Sequence, residues 1–163
     1  MKEGPMTYAT YLKISGIPGD CADPAHKGWI EVLNCSNSVS GPEAHGRPAQ
    51  YMDLAVNKYM DRSSPLVALA CSEGRKLEEV MIETCGDGGT RVMEVRLSHV
   101  TVTNYNFSIG GDPNHPAYDN FSLKFEKMDW RHFPAGTEEP VTCAWVSEEL
   151  RGPAAPGRRG GGR

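Results

Sequence analysis

The sequence predicts a mainly β fold, a single-domain β-barrel with one flanking α-helix at about residues 64–73. Apolar and polar side chains alternate over several segments, which is typical of a sheet with one buried face. In the longest of these segments the alternation changes phase at Ser98-His99, where a one-residue bulge would bend the strand towards a closed barrel. One segment alone carries the start and stop signals of a helix.

Seven strands are expected from this alternation and from the aromatic and β-branched residues within it. In the sixth strand, for example, Phe121, Leu123 and Phe125 alternate with polar residues. The predicted strands span residues 8–14, 28–39, 51–60, 77–85, 91–107, 120–133 and 141–146.

The helix is predicted from Ser63-Ser64-Pro65, with Ser64 as the N-cap and Pro65 at the first helical position. Gly74 supplies a left-handed stop. The apolar residues between them indicate packing against the core rather than a cofactor site.

Two connections stand out. The Gly-rich segment 86–89 is predicted to be a hairpin turn. Residues 40–50 hold two Gly-Pro or Gly-x-Pro steps and almost no apolar side chain, so this segment should project as an extended arm. Loops of this length in compact domains usually have a function or are disordered.

Length and composition set the domain organisation. The 163 residues are divided into one domain, 1–150, and a Gly/Arg-rich tail, 151–163, which is expected to be disordered. The formal net charge of −4 argues against a dedicated nucleic-acid partner. The apolar run 66–71 is far shorter than the ~18 residues of a membrane-spanning helix. No signal peptide is expected, and the five Cys are expected to be reduced thiols.

The search for catalytic and metal-binding motifs returns no nucleophile elbow, phosphate loop, dinucleotide fingerprint or zinc pattern, so no enzyme, cofactor or metal is expected. Cys21 and His26 lie beside Asp20 and Asp23, but a metal needs three or four convergent ligands. A polar turn is the favoured interpretation of this segment. Cys143 could meet a His in space, which leaves a small Cys/His hydrolase as an alternative function.

Several segments, in matching order and spacing, resemble the haemolysin-coregulated protein (Hcp) family of bacterial type VI secretion. The most specific is Lys58-Tyr59-x-Asp61-x-Ser63-Ser64-Pro65, which continues to Gly74-Arg75-Lys76. The similar segments are 11–19, 26–33, 58–65, 70–76, 110–112, 121–125 and 144–145, so the resemblance covers residues 6 to about 147. The polar run 34–38 and the tail depart from the family pattern.

The resemblance implies a subunit that forms six-membered rings, which stack into a hollow tube inside a contractile sheath. The tube, capped by a spike protein, is expelled from the bacterial cytoplasm to the exterior or a target cell and carries small effector proteins in its lumen. Ser36 is the candidate lumen-facing residue, although an edge-strand surface position is equally open. Segment 40–50 matches a loop that reaches the next ring, and its candidate stacking residues are Gly41, Pro42, Glu43, His45, Arg47 and Pro48. A phage-type tail tube subunit is the alternative with the same architecture.

Overall fold

The computed structural model describes residues 7–110, 113–114, 117–135 and 139–152. The predicted tail lies outside the described residues from position 153 onward, whereas Arg151 ends a short helix. In the described part of the chain the elements are β1 (Ala9–Ile14), β2 (Ile30–Val32), β3 (Asn34–Ser36), β4 (Val39–Ser40), β5 (Gln50–Tyr51), β6 (Leu54–Tyr59), α1 (Ser63–Glu73), β7 (Lys76–Cys85), β8 (Arg91–Ser108), β9 (Tyr118–His132), β10 (Val141–Val146) and α2 (Glu148–Arg151).

Eight of these strands form one antiparallel sheet, in the order β2-β1-β7-β8-β9-β6-β3, with β10 paired to β9. The two ends of this order, β2 and β3, are separated in the chain by Leu33 alone. The Leu33 N–H donates to the Asn57 carbonyl of β6 at 2.8 Å, which carries the chain from one sheet end to the other. The sheet therefore curls into a nearly closed barrel, as predicted.

The barrel interior is filled by apolar side chains from six of the strands, β1, β2, β6, β7, β8 and β9, and from one face of α1. Leu12, Val56, Leu97 and Leu123 are fully buried, and Val67 of α1 joins the same cluster. Burial of apolar area at roughly 25 cal/mol per Å² makes this cluster the main favourable contribution to folding. None of the described helices combines the length and apolar character needed to cross a membrane.

The phase change in β8 is present, but the one-residue bulge predicted at Ser98-His99 is wrong. Val80 pairs with Leu97, and Leu77 pairs with Val100, so the register is the same on both sides. The backbone of His99 instead adopts φ 54° in the left-handed region, which turns the strand without an added residue. The register shifts lie elsewhere, between Thr84/Cys85 and between Val102/Asn104.

The helix α1 ends as predicted and begins differently. Gly74 adopts φ 60°, and its N–H donates to the Cys71 carbonyl at 3.1 Å. The N-cap position is Arg62, whose side chain makes no capping bond, so the assignment of Ser64 as N-cap is wrong. The carboxylate of Asp61 accepts the Ser63 N–H at 2.8 Å, while Ser64 lies inside the first turn and is buried.

Two predicted strands are divided in the structure. Segment 28–39 becomes β2, β3 and β4, and segment 51–60 becomes β5 and β6. β4 and β5 pair only with each other, through Val39 with Tyr51 and Ser40 with Gln50. They form a small ribbon at the base of residues 41–49, all of which are exposed. We call residues 39–51 the arm, and this shape agrees with the predicted projection.

Candidate functional site

Ser36 lies in a surface of small uncharged side chains on four adjacent strands. The strands are β3, β6, β9 and β8, and alternate residues on each point away from the core. We call this surface the neutral face; its members are Asn34, Ser36, Ala55, Asn57, Asn104, Asn106, Asn120 and Ser122. Each is exposed or half-buried, and none carries a charge.

Strand pairing aligns these residues in two rows across the sheet. One row runs through Asn34, Asn57, Asn120 and Asn106, and the Asn120 side-chain amide donates to Asn106 Oδ1 at 3.0 Å. The second row runs from Ser36 through Ala55 and Ser122 to Asn104. Because Asn, Ser and Ala are not favoured in strands, the stability of the sheet does not account for this composition. A surface role does.

The neutral face is flanked by two strand edges that have no partner in the described part of the chain. β3 ends the strand order, so its outer edge is unpaired. On the other side, β8 pairs with β7 only as far as Thr101, and residues 104–108 pair with β9 alone, so the outer edge of residues 103–108 is unpaired. Unpaired edges expose backbone donors and acceptors that can bind another strand. Phe107 and Ile109, at the end of this β8 edge, are 58% and 71% exposed.

All six predicted stacking residues lie in the arm and are exposed: Gly41, Pro42, Glu43, His45, Arg47 and Pro48. The Glu43 N–H donates to the Arg47 carbonyl at 2.9 Å, which closes the tip into a turn. At its base, Val39 and Met52 are each more than half exposed. The arm thus offers polar groups at its tip and apolar surface at its base.

Behind the neutral face lies a buried polar network that the sequence analysis missed. Lys58 and Asp119 are directly opposite each other on β6 and β9, and both are fully buried. Lys58 Nζ donates to Asp119 Oδ2 at 2.9 Å, to Ser64 Oγ at 2.9 Å and to Asp61 Oδ1 at 3.1 Å. The signal lies in the Lys58 to Pro65 segment itself, in which the sequence analysis predicts only the end of a strand and the start of the helix.

Besides Lys58, two hydroxyl groups donate to the Asp119 carboxylate. Ser64 Oγ donates to Asp119 Oδ2 at 2.5 Å, and the Tyr105 hydroxyl donates to it at 2.9 Å. Burial, together with the hydrogen bond to Asp119, raises the pKa of Tyr105 to about 12, so the phenol keeps its proton. The network joins β6, α1, β8 and β9, and it fixes the helix start beneath the strands of the neutral face.

The structure separates the residues of the Cys21 and His26 segment. The carboxylate of Asp20 accepts the Arg62 backbone N–H at 3.0 Å, which is the main reason its pKa is lowered. Asp23 instead contacts His26 Nδ1 at 2.7 Å. Cys21 is buried and is not part of the side-chain group around His26, which draws on β7 instead.

The Cys/His hydrolase alternative finds little support in this geometry. Cys143 is exposed on β10, and burial raises the pKa of its neighbour Tyr51, with Cys143 adding to the shift. His26 lies 4.0 Å from the Cys85 sulfur, but burial and the adjacent Glu83 raise the pKa of this thiol. A nucleophilic Cys needs a lowered pKa, so this pair lacks the activation that such chemistry requires.

The cysteines are expected to differ in reactivity at pH 8. Burial raises the pKa of Cys35 to about 12, so its thiol stays protonated and reacts slowly with a disulfide reagent such as Ellman's reagent. Cys143 is exposed and should react first. Cys143→Ser should remove the fast phase of the reaction, and Cys35→Ser should leave it unchanged. A fast phase that survives Cys143→Ser would contradict this assignment.

Comparisons with known proteins agree with the fold and with the resemblance. The sequence model of the family described as "Type VI secretion system effector, Hcp" matches residues 11–132. Protein hcp1 of Pseudomonas aeruginosa is 24% identical over 156 residues, covering 86% of this chain and 95% of that protein. The crystal structure of Hcp1 from Salmonella typhimurium superposes with a TM-score of 0.79 at 22% identity, over 88% of this chain and 97% of that one.

A type VI secretion system effector from Yersinia pestis has the same fold. It superposes with a TM-score of 0.74 at 20% identity, over 84% of this chain and 98% of that one. The family match covers most of the barrel, from β1 to the end of β9. The chain therefore belongs to the Hcp family of secreted type VI secretion proteins, which are structural tube proteins and not enzymes.

Proposed function

We propose that this chain is the repeating subunit of a type VI secretion tube, in which six copies form a ring and rings stack head to tail. The observation that carries the proposal is the neutral face with an unpaired strand edge on each side. The tube would sit inside a contractile sheath, end in a spike protein and be expelled with small effector proteins in its lumen.

The two edges suit a ring because they are different from each other. A contact between two unlike surfaces of identical subunits is head-to-tail, and it closes when the rotation per subunit divides the circle. In the proposed contact, β3 of one subunit lies beside residues 103–108 of the next. Four strands from every copy then form one continuous wall, and the neutral face of each copy lines the channel with Ser36 in its second row.

The composition of the neutral face suits a channel that holds proteins without trapping them. Its amides and hydroxyls can hydrogen-bond to water or to a polar cargo surface. Because the neutral face has no charged side chain, it neither repels nor strongly attracts a cargo protein on account of that protein's net charge. Each contact with a cargo protein is weak, so the number of contacts would decide retention.

The ring itself is tested by mass. We expect purified protein to give a particle close to six times 17.8 kDa by mass photometry, and a ring with an open centre by negative-stain microscopy. A monomer at micromolar concentration would contradict the proposal. Because all six copies use the same pair of edges, intermediate assemblies should be scarce compared with closed rings.

The arm is the proposed contact between stacked rings. Replacing residues 41–49 with a short Gly-Ser linker should leave single rings intact, because these residues are exposed and lie outside the core. Shortening a loop changes the entropic free-energy cost of closing it by only about 0.6 kcal/mol per twofold change in length. Tubes seen by electron microscopy, and export in a native secretion assay, should be lost.

Two results would contradict this role of the arm. If the shortened chain makes no rings, the arm belongs to the lateral contact within a ring. If it makes tubes and is exported normally, the arm does not contribute to stacking. A matched control replaces Glu43 and Arg47 with Ala at full arm length, which separates loss of these two side chains from loss of the arm.

A further inference from the structure

Three side chains that can bind a metal converge near the end of β7. His26 Nε2 lies 3.1 Å from Glu83 Oε1 and 4.0 Å from Cys85 Sγ, and Glu83 Oε1 lies 3.8 Å from Cys85 Sγ. His26 and Cys85 are each 4% exposed. Glu83 and Cys85 are two residues apart on one strand, so they share a face, and the register shift between Thr84/Cys85 lies directly beside them.

His26 is held in a fixed orientation by three neighbours. Its Nδ1 lies 2.7 Å from Asp23 Oδ2, and its Nε2 is the nitrogen that faces Glu83 and Cys85. The ring stacks on Tyr11 at 3.9 Å with an interplanar angle of 7°, and Trp29 meets it edge-on at 4.9 Å. A carboxylate on the far nitrogen is the usual partner of a metal-binding His, because it fixes the ring and raises its basicity.

From this geometry we propose that His26 Nε2, Glu83 and Cys85 Sγ bind one zinc ion, with Asp23 orienting His26. Zinc accepts nitrogen, sulfur and oxygen ligands together in a tetrahedral site. Tetrahedral zinc places a nitrogen and an oxygen ligand about 3.3 Å apart, and sulfur about 3.6 Å from either. The observed distances of 3.1, 3.8 and 4.0 Å differ from these by less than half an ångström.

The fourth coordination position is directed at solvent. His26 and Cys85 border a cleft of about 310 Å³, which is lined also by Tyr11, Asp23 and the turn 86–89. A water molecule can enter there, as at zinc sites with three protein ligands. Zinc binds the Cys85 thiolate, so the thiol releases its proton to solvent on binding and the zinc affinity falls as pH falls.

Such a site would tie two distant parts of the chain together. His26 precedes β2 and lies 57 residues before Glu83 on β7. A metal that binds only the folded chain stabilises it in proportion to the logarithm of the free metal concentration. The proposal departs from the absence of metal expected from the sequence, because two of the three ligands come from a strand that the Cys21 and His26 segment does not include.

The test uses the full chain after treatment with a chelator, with zinc alone as the ligand. Competition against a chromophoric zinc chelator should give one zinc per chain with a submicromolar dissociation constant. Cobalt in place of zinc should give the visible bands of a tetrahedral site and a near-ultraviolet thiolate-to-cobalt band. Zinc should also raise the melting temperature by several degrees.

Variants then assign the ligands. Cys85→Ser should abolish the thiolate-to-cobalt band, and Glu83→Gln should weaken zinc binding at least tenfold. Asp23→Asn should weaken it by 10- to 100-fold, the range typical of partners that orient a ligand. Cys71→Ser and Cys143→Ser are the matched controls and should bind zinc as the unaltered chain does. Circular dichroism confirms that each variant is folded.

Three results would overturn the proposal: no stoichiometric zinc at micromolar concentrations, an unchanged cobalt band in Cys85→Ser, or equal affinity in Glu83→Gln. If Cys85→Ser fails to fold, Glu83→Gln decides the question, because this side chain is partly exposed and the amide can still bond to His26. Zinc binding is measured on the chain in solution, so its outcome is independent of whether rings or tubes form.

Discussion

Asp119→Ala is expected to destabilise the fold by about 3–5 kcal/mol, because it leaves the fully buried ammonium of Lys58 without its main counter-charge. Ser64 and Tyr105 lose the same acceptor. Chemical denaturation followed by circular dichroism, at one fixed protein concentration, measures the loss. The effect should exceed that of any exposed ion pair in the described structure.

The matched control is Asp20→Ala, which breaks the exposed pair with Arg62 and should hardly change the denaturation midpoint. A second comparison uses the double variant Lys58→Met, Asp119→Leu. Replacing both charges with apolar side chains removes the uncompensated charge, so the double variant should recover much of the loss. If Asp119→Ala behaves like Asp20→Ala, the buried network contributes little to stability.

Phe107→Glu combined with Ile109→Glu is expected to convert rings to monomers while leaving the fold intact. Both side chains are largely exposed in the isolated subunit and extend from the unpaired β8 edge. In the proposed ring contact they are covered by the next copy, where an unpaired carboxylate costs several kcal/mol to desolvate. The lateral dissociation constant should rise by at least 100-fold, which mass photometry over a dilution series can measure.

Leu69→Glu is the matched control for this pair. Leu69 is also largely exposed, at 47%, but it lies on α1 and belongs to neither unpaired strand edge. It should leave both the melting temperature and the ring unchanged. Rings that persist in the Phe107→Glu, Ile109→Glu variant would exclude this edge from the lateral contact. The circular dichroism spectrum of the variant monomer shows whether the fold itself is retained.

The sequence predicted those features that depend on residues close together in the chain. Alternation placed all the long strands, because burial of one sheet face acts at a period of two residues. Gly74 marked the end of α1, because a left-handed residue there is a local requirement. The arm followed from its Gly and Pro residues for the same reason.

Features that depend on tertiary contacts were missed or misassigned. Ser64 has the side chain of an N-cap, but its hydroxyl bonds to Lys58 and Asp119, and Asp119 lies 55 residues away. The buried face changes at the same level in β7, β8 and β9, so the register between these strands is kept. A positive φ at His99 therefore replaces the expected bulge. The group of His26, Glu83 and Cys85 forms only when β7 is in place.

The neutral face could be predicted only in part from the sequence. The polar run around Ser36 departs from the family pattern, but its partners on β6, β8 and β9 follow only from strand order and register. One-residue errors in register exchange the two faces of a strand. A row of asparagines across four strands is therefore a property of the pairing, and no single segment contains it.

In the proposed ring, the joint at Leu33 would make assembly depend on a correctly folded barrel. Because one residue separates β2 from β3, the pairing of β2 with β1 and the pairing of β3 with β6 constrain each other. In a ring built through the outer edge of β3, a misfolded subunit would present no edge to the growing polymer. Only chains with a completed barrel would then add to the ring, and defective copies would be left out of the tube.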